Sequence, residues 1–169
     1  MNSNKHQAGW LSSTKELALD ADMPICDPHH HLWNHPTNQY LLDDLHEDTG
    51  SAHNITKTVF VECGSEYRSE GPESMRPVGE TEFVAELARQ SESMSGATIA
   101  GIVGFADLTL GEKVQEVLEA HISAGEGRFK GIRHASAWHE DASIPVSYTH
   151  LRAHETRHAL VCRLLLEKK

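Results

Sequence analysis

The sequence predicts an α/β protein built on a parallel β-sheet. Strand-like and helix-like segments alternate between residues 23 and 133. Residues 98–105, Thr-Ile-Ala-Gly-Ile-Val-Gly-Phe, are an almost continuous apolar run. Strands of that kind are buried on both faces, as parallel strands are. The segments between strands carry helical periodicity, which suits right-handed βαβ crossovers.

Residues 1–22 are polar, with a weak helical stretch at Lys15–Leu19, and predict a flexible lead-in. Met23-Pro24-Ile25-Cys26-Asp27 reads as the first strand. Pro28 has no amide hydrogen to give a ladder and marks the strand end. Residues 34–54 are loop-like, with Pro36, Asn38 and Gly50, and residues 40–45 can form a short helix. Residues 56–63 are β-branched and aromatic, stop at Gly64, and give the clearest strand. Residues 65–77 contain Gly71, Pro72 and Pro77 and read as an excursion.

Residues 78–95 predict a helix, with Phe83, Val84, Leu87 and Ala88 as its apolar stripe. Glu80, Glu82 and Glu86 suit the positive end of its dipole and read as a solvated face. Gly96 is its stop signal. Residues 111–124 predict a second helix, with Val114, Val117, Leu118 and Ile122 on one side and Gly125 after it. Residues 129–133 complete the pattern as a short strand. There is no solenoid repeat.

The chain has 169 residues and a net charge of −10 with histidine neutral. That acidity argues against nucleic acid or an anionic membrane as partner. No apolar run reaches the roughly 18 residues of a membrane span. The polar start leads into no apolar signal core. Together these features predict a cytoplasmic protein. Cys26, Cys63 and Cys162 form neither a C-x-x-C pair nor a disulfide framework.

From Val146 the sequence changes character and reads VSYTHLRAHETRHALVCRLLLEKK. It resembles a sequencing-library adapter translated in one frame and running into a lysine-coding tract. The implied domains are a lead at 1–22, the α/β body at 23–145 and a non-native tail at 146–169. His150, His154 and His158 share one helical face, yet on this reading they are not metal ligands. The body then ends near Ile144 or Pro145, as a truncated reading frame would.

Chemistry concentrates at Asp27-Pro28-His29-His30-His31. Alternate residues of an extended chain point the same way. His29 and His31 can therefore aim at one point, with His30 facing elsewhere. Imidazole nitrogens suit zinc and similar divalent cations. A cation there can polarise a carbonyl and activate water. Asp27 can orient a histidine from behind. The plainer reading is a polar loop that happens to hold three histidines. Position at the end of a first parallel strand favours the site, because barrel enzymes carry their chemistry at C-terminal strand ends.

Ile25-Cys26-Asp27-Pro28-His29-His30-His31-Leu32-Trp33 resembles the opening of the amidohydrolase-related family, in its lactonase-like branch. Val59–Cys63, Gly101–Gly104 and Gly131–His134 extend the likeness across residues 24–140. The resemblance implies a (β/α)₈ barrel, of which about 145 residues supply the N-terminal half only. It implies hydrolysis of a cyclic ester or related C–O or C–N bond, with His29, His31 and Asp27 catalytic. His29 and His31 would hold a divalent metal, best matched by zinc, although this branch does not always need one. Arg133 would grip the carboxylate of a small lactone substrate, a task suited to a planar guanidinium. The family's mid-strand histidines and late aspartate are missing from these residues, so the chain alone is expected to be inactive.

Glu62, at the end of the second predicted strand, is a substrate-binding candidate. On position alone, a solvated strand-end carboxylate is the simpler reading. His134 either reaches the same mouth or is a loop histidine. Cys26 and Cys63 read as buried small residues, and His121 as packing. Trp33 reads as a packing anchor beside the site, and His35, His46, His53 and His139 as surface loop residues. The alternative to an enzyme is a metal-binding α/β module that uses the 29–31 cluster and catalyses nothing.

Overall fold

The computed structural model describes residues 17–134. Part of the predicted lead-in, His139, and the adapter-like segment with Cys162 lie outside the described residues. Four strands form a parallel sheet in the order β1 (Ile25–His30), β4 (Ile55–Val61), β5 (Thr98–Gly104), β6 (Phe129–Ile132). Between β1 and β4, β2 (Trp33–His35) pairs with β3 (Asn38–Tyr40) in an antiparallel hairpin. Three helices follow in the connections: α1 (Leu42–Thr49), α2 (Val78–Ser91) and α3 (Val114–Ala124). The predicted α/β class and parallel sheet are present. Among the described residues the sheet is open, and β1 and β6 each have one strand neighbour.

The core lies between the sheet and its helices. Phe60, Ile99 and Ile102 pack with Leu32, Leu42, Leu45, Val84, Ala85 and Ala88. Burying a side chain of this size stabilises by about 1.5–3 kcal/mol. Ile99 and Ile102 reach the same face because the ladder slips between them. Thr58 pairs with Ile99 and Val59 with Gly101, leaving Ala100 as an extra residue. A second cluster joins Val78, Ala106, Val114 and Val117 between α2, α3 and the end of β5.

His121 ties that second region together and is fully buried. Its Nε2–H donates to the Phe105 carbonyl at 2.9 Å. A neutral ring then leaves Nδ1 to accept the Thr81 hydroxyl at 2.8 Å. The ring stacks on Phe129, with centroids 5.1 Å apart. Packing, the role predicted for it, is the role it has.

Several expectations are corrected. β1 does not stop at Pro28 but runs to His30. Asp27 pairs with Thr58 and His30 with Phe60, so one residue is extra, and Pro28 sits in that irregularity on an edge strand. A missing amide hydrogen costs little in that place. Residues 33–40 form a hairpin where loop was expected, and α1 starts after Tyr40. α2 ends at Ser91, five residues before Gly96. α3 starts at Val114, because Gly111 takes φ 60°, ψ −132° and breaks the path from the preceding 3₁₀ turn. Cys26 is exposed rather than buried. His46 lies on α1, bonded at Nε2 to the Ala97 carbonyl at 3.0 Å, and is no loop residue. Glu80 is 1% exposed and belongs to no solvated face.

Candidate functional site at the C-terminal edge of the sheet

Because all four strands run the same way, their C-terminal ends share one edge. His29 and His30 end β1 there, and His31 follows them. Glu62 and Cys63 leave β4, Phe105 leaves β5, and Arg133 and His134 leave β6.

The His29 and His31 imidazoles converge. Their Nε2 atoms are 3.2 Å apart, and the rings meet edge to face with centroids 4.9 Å apart. Nδ1 of His31 bonds the Val61 carbonyl at 2.7 Å. A carbonyl only accepts, so that nitrogen carries the proton and a neutral His31 presents a lone pair at Nε2. His29 donates its Nε2–H to that lone pair. Tetrahedral zinc with bonds of about 2.0–2.1 Å holds two nitrogens about 3.3–3.4 Å apart. The observed spacing fits one cation between the rings once the His29 proton moves to Nδ1. Among the described residues, no group of three or more His, Cys, Asp or Glu side chains converges on one ion position.

His30 turns the other way, as alternation predicts. It is 9% exposed, packs 5.9 Å from the Phe60 ring, and has no hydrogen-bond partner on either ring nitrogen among the described residues. Burial pulls its pKa down to about 4. Asp27 spends Oδ1 on the backbone amide of His29 at 3.0 Å, so it shapes the chain rather than an imidazole. Trp33 lies beside the pair, its ring 5.6 Å from His31, and Tyr40 braces it from the facing strand at 6.1 Å.

Arg133 and Glu62, both predicted to face substrate, hold each other. Arg133 Nε donates to Glu62 Oε1 at 2.8 Å, and its terminal NH₂ donates to the Glu62 carbonyl at 2.6 Å. The arginine side chain is 41% exposed and the glutamate 16%. The pair abuts the histidines through the chain, since Val61, the acceptor for His31, immediately precedes Glu62. His134 is drawn aside. Its Nδ1 accepts the Leu108 amide at 3.0 Å, and its ring packs 5.2 Å from Phe105. It serves the loop after β5.

The residue that sequence reasoning missed is Glu80. Oε1 accepts the backbone amides of Cys63 at 3.1 Å and Ser65 at 2.7 Å. Burial raises its pKa. A signal existed, because Glu80 lies four residues before Val84 and eight before Ala88, on the core stripe itself. Cys63 also donates its thiol to the Leu32 carbonyl at 3.4 Å. Burial, aided by Glu80, pushes that thiol up to about 12. At the opposite edge of the sheet, an open depression of about 300 Å³ is lined by Thr49, His53, Ile55, Ser95 and Gly96. It holds no convergent ionisable pair and lies at the wrong strand ends for the histidines.

No family model matches the chain. No solved structure matches it. It is 28% identical over 145 residues to the uncharacterized protein y4mH of Sinorhizobium fredii, a match covering 73% of this chain and 43% of that protein. The chain thus spans less than half the length of the curated relative it matches.

Proposed function

We propose that the chain carries the first half of a (β/α)₈ barrel hydrolase that opens a small, carboxylate-bearing lactone. The observation that carries the reading is the approach of His29 Nε2 to His31 Nε2 at 3.2 Å, at the C-terminal edge of a parallel sheet. Barrel enzymes put their reacting groups at that edge. The order β1-β4-β5-β6, each strand parallel to the last, suits consecutive barrel strands. The length of the relative leaves room for a second half.

On this reading His29 and His31 hold a divalent cation, zinc by preference, or directly hold the lactone carbonyl oxygen. A bound cation would supply Lewis acidity at that oxygen. The water oxygen bonds to the acyl carbon, the ring C–O bond breaks, and the products are a hydroxyl and a second carboxylate. Arg133 orients the existing carboxylate by a paired hydrogen bond. The His31–Val61 bond fixes the ring and its tautomer. The base that takes the water proton belongs to the second half, as the family resemblance implies. The chain alone therefore hydrolyses no lactone. Its site lies in the cytoplasm.

In the longer parent protein, His29→Ala and His31→Ala should each lower lactone hydrolysis by roughly 10²–10⁴-fold, the usual worth of a reacting group. Hydrolysis at the parent rate in both variants sinks the enzyme reading. Tight zinc binding by the chain alone, lost in both variants, with no hydrolysis by the parent, would favour the non-enzymatic metal-binding module.

A further inference from the structure

A carboxyl as buried as that of Glu80 is costly to keep, and its placement needs a reason. It comes from the first turn of α2 and reaches back under the connection that leaves β4. Oε1 collects two backbone amides and, at 3.6 Å, the Cys63 thiol. Oε2 is buried with no partner among the described residues. The amides it serves flank the end of the ladder. Glu62 still donates its own amide to Val103 at 2.8 Å, and the regular pairing stops there.

Glu62 is therefore bracketed. On one side His31 holds the Val61 carbonyl, and on the other Glu80 holds the Cys63 amide. Its carboxylate and its carbonyl both receive Arg133. The Glu62 carbonyl that accepts one arginine bond shares its peptide with the Cys63 amide, and the carboxylate that accepts the other hangs from the same bracketed residue.

We propose that Glu80 is a positioning residue for the Glu62–Arg133 pair, acting through the amides of Cys63 and Ser65. It is distinct from the groups proposed to touch substrate. Its consequence for carboxylate recognition rests on the lactonase reading, whereas its hold on Arg133 does not.

The test is hydrogen exchange of the Arg133 Nε–H by nitrogen-15 NMR in the full 169-residue chain, the signal being assigned with Arg133→Lys. Glu80→Gln keeps an acceptor oxygen in place and should leave the exchange rate unchanged. Glu80→Ala should speed it about tenfold, the population change that the net worth of one hydrogen bond converts to. Val84→Ala, a core truncation on the same helix away from the loop, should lower the melting temperature without moving the Arg133 signal. Should Glu80→Ala fail to fold, Glu80→Asp withdraws the oxygen by one methylene and should also speed exchange. Wild-type exchange in the folded Ala or Asp variant overturns the proposal. So does equal acceleration by Val84→Ala. Neither readout involves hydrolysis, so loss of the enzyme reading would leave this result intact.

Discussion

His31 makes two bonds, and each has a different consequence for the site. Nδ1 on the Val61 carbonyl ties the ring to β4, and Nε2 is left for whatever comes between the two imidazoles. The thiols differ as sharply. Cys26 stands exposed on β1, while Cys63 is half-buried, bonded to Leu32 and facing Glu80. A thiol held that high gives almost no thiolate at neutral pH. In the native chain at pH 8, iodoacetamide should modify Cys26 at least about 100-fold faster than Cys63. Peptide mass spectrometry over a time course reads this directly, and equal rates would refute the burial argument.

At the scale of elements, close approach decides more than propensity. Gly79 lies in the first turn of α2, against the connection from β4. A Cβ there would sit 2.6 Å from the Glu66 carbonyl oxygen and 2.7 Å from the Arg68 amide nitrogen. Both are backbone atoms and cannot swing aside. At Gly104 a Cβ would meet the His121 ring at 3.1 Å and the Thr81 hydroxyl at 3.2 Å, side chains with some room to give. Gly79→Ala should therefore destabilise by more than Gly104→Ala, the latter costing about 1–3 kcal/mol as overpacking does. Urea unfolding of the two variants ranks them.

His121 links α3 to α2 and β5, and burial lowers its pKa. The unfolded chain then binds the proton more readily than the folded one. The contribution of neutral His121 is complete above the unfolded pKa of about 6.5 and is lost as pH falls below it. His121→Gln should flatten this acid-side loss. A pH series of melting temperatures for both proteins checks it, and an unchanged slope would assign the acid sensitivity elsewhere.

For the whole molecule, the helices α2 and α3 cover one face of the sheet, while Val59 and Val103 on the other are only half-buried among the described residues. Parallel sheets are normally covered on both faces, and among the described residues the edges at β1 and β6 are open and leave ladder groups unpaired. The chain by itself should self-associate at micromolar concentration in sedimentation velocity. A clean monomer there would mean that this face and these edges are already protected. No helix among the described residues is long and apolar enough to cross a membrane.

The sequence by itself determined the four parallel strands, the three described helices to within a few residues at their ends, and the convergence of His29 with His31, because these follow from periodicity along a short stretch of chain. Alternation was enough to separate His30 from its neighbours even though the ladder slips at Pro28. The hairpin at residues 33–40 escaped notice, since its strands are only three residues long and Trp33 meets Tyr40 across them only once the chain has folded back. Only the tertiary structure decided the partners of Arg133, Glu62, His134 and Glu80. Each of those bonds spans 15 residues or more of chain, and contacts across such distances are set by how the helices seat on the sheet.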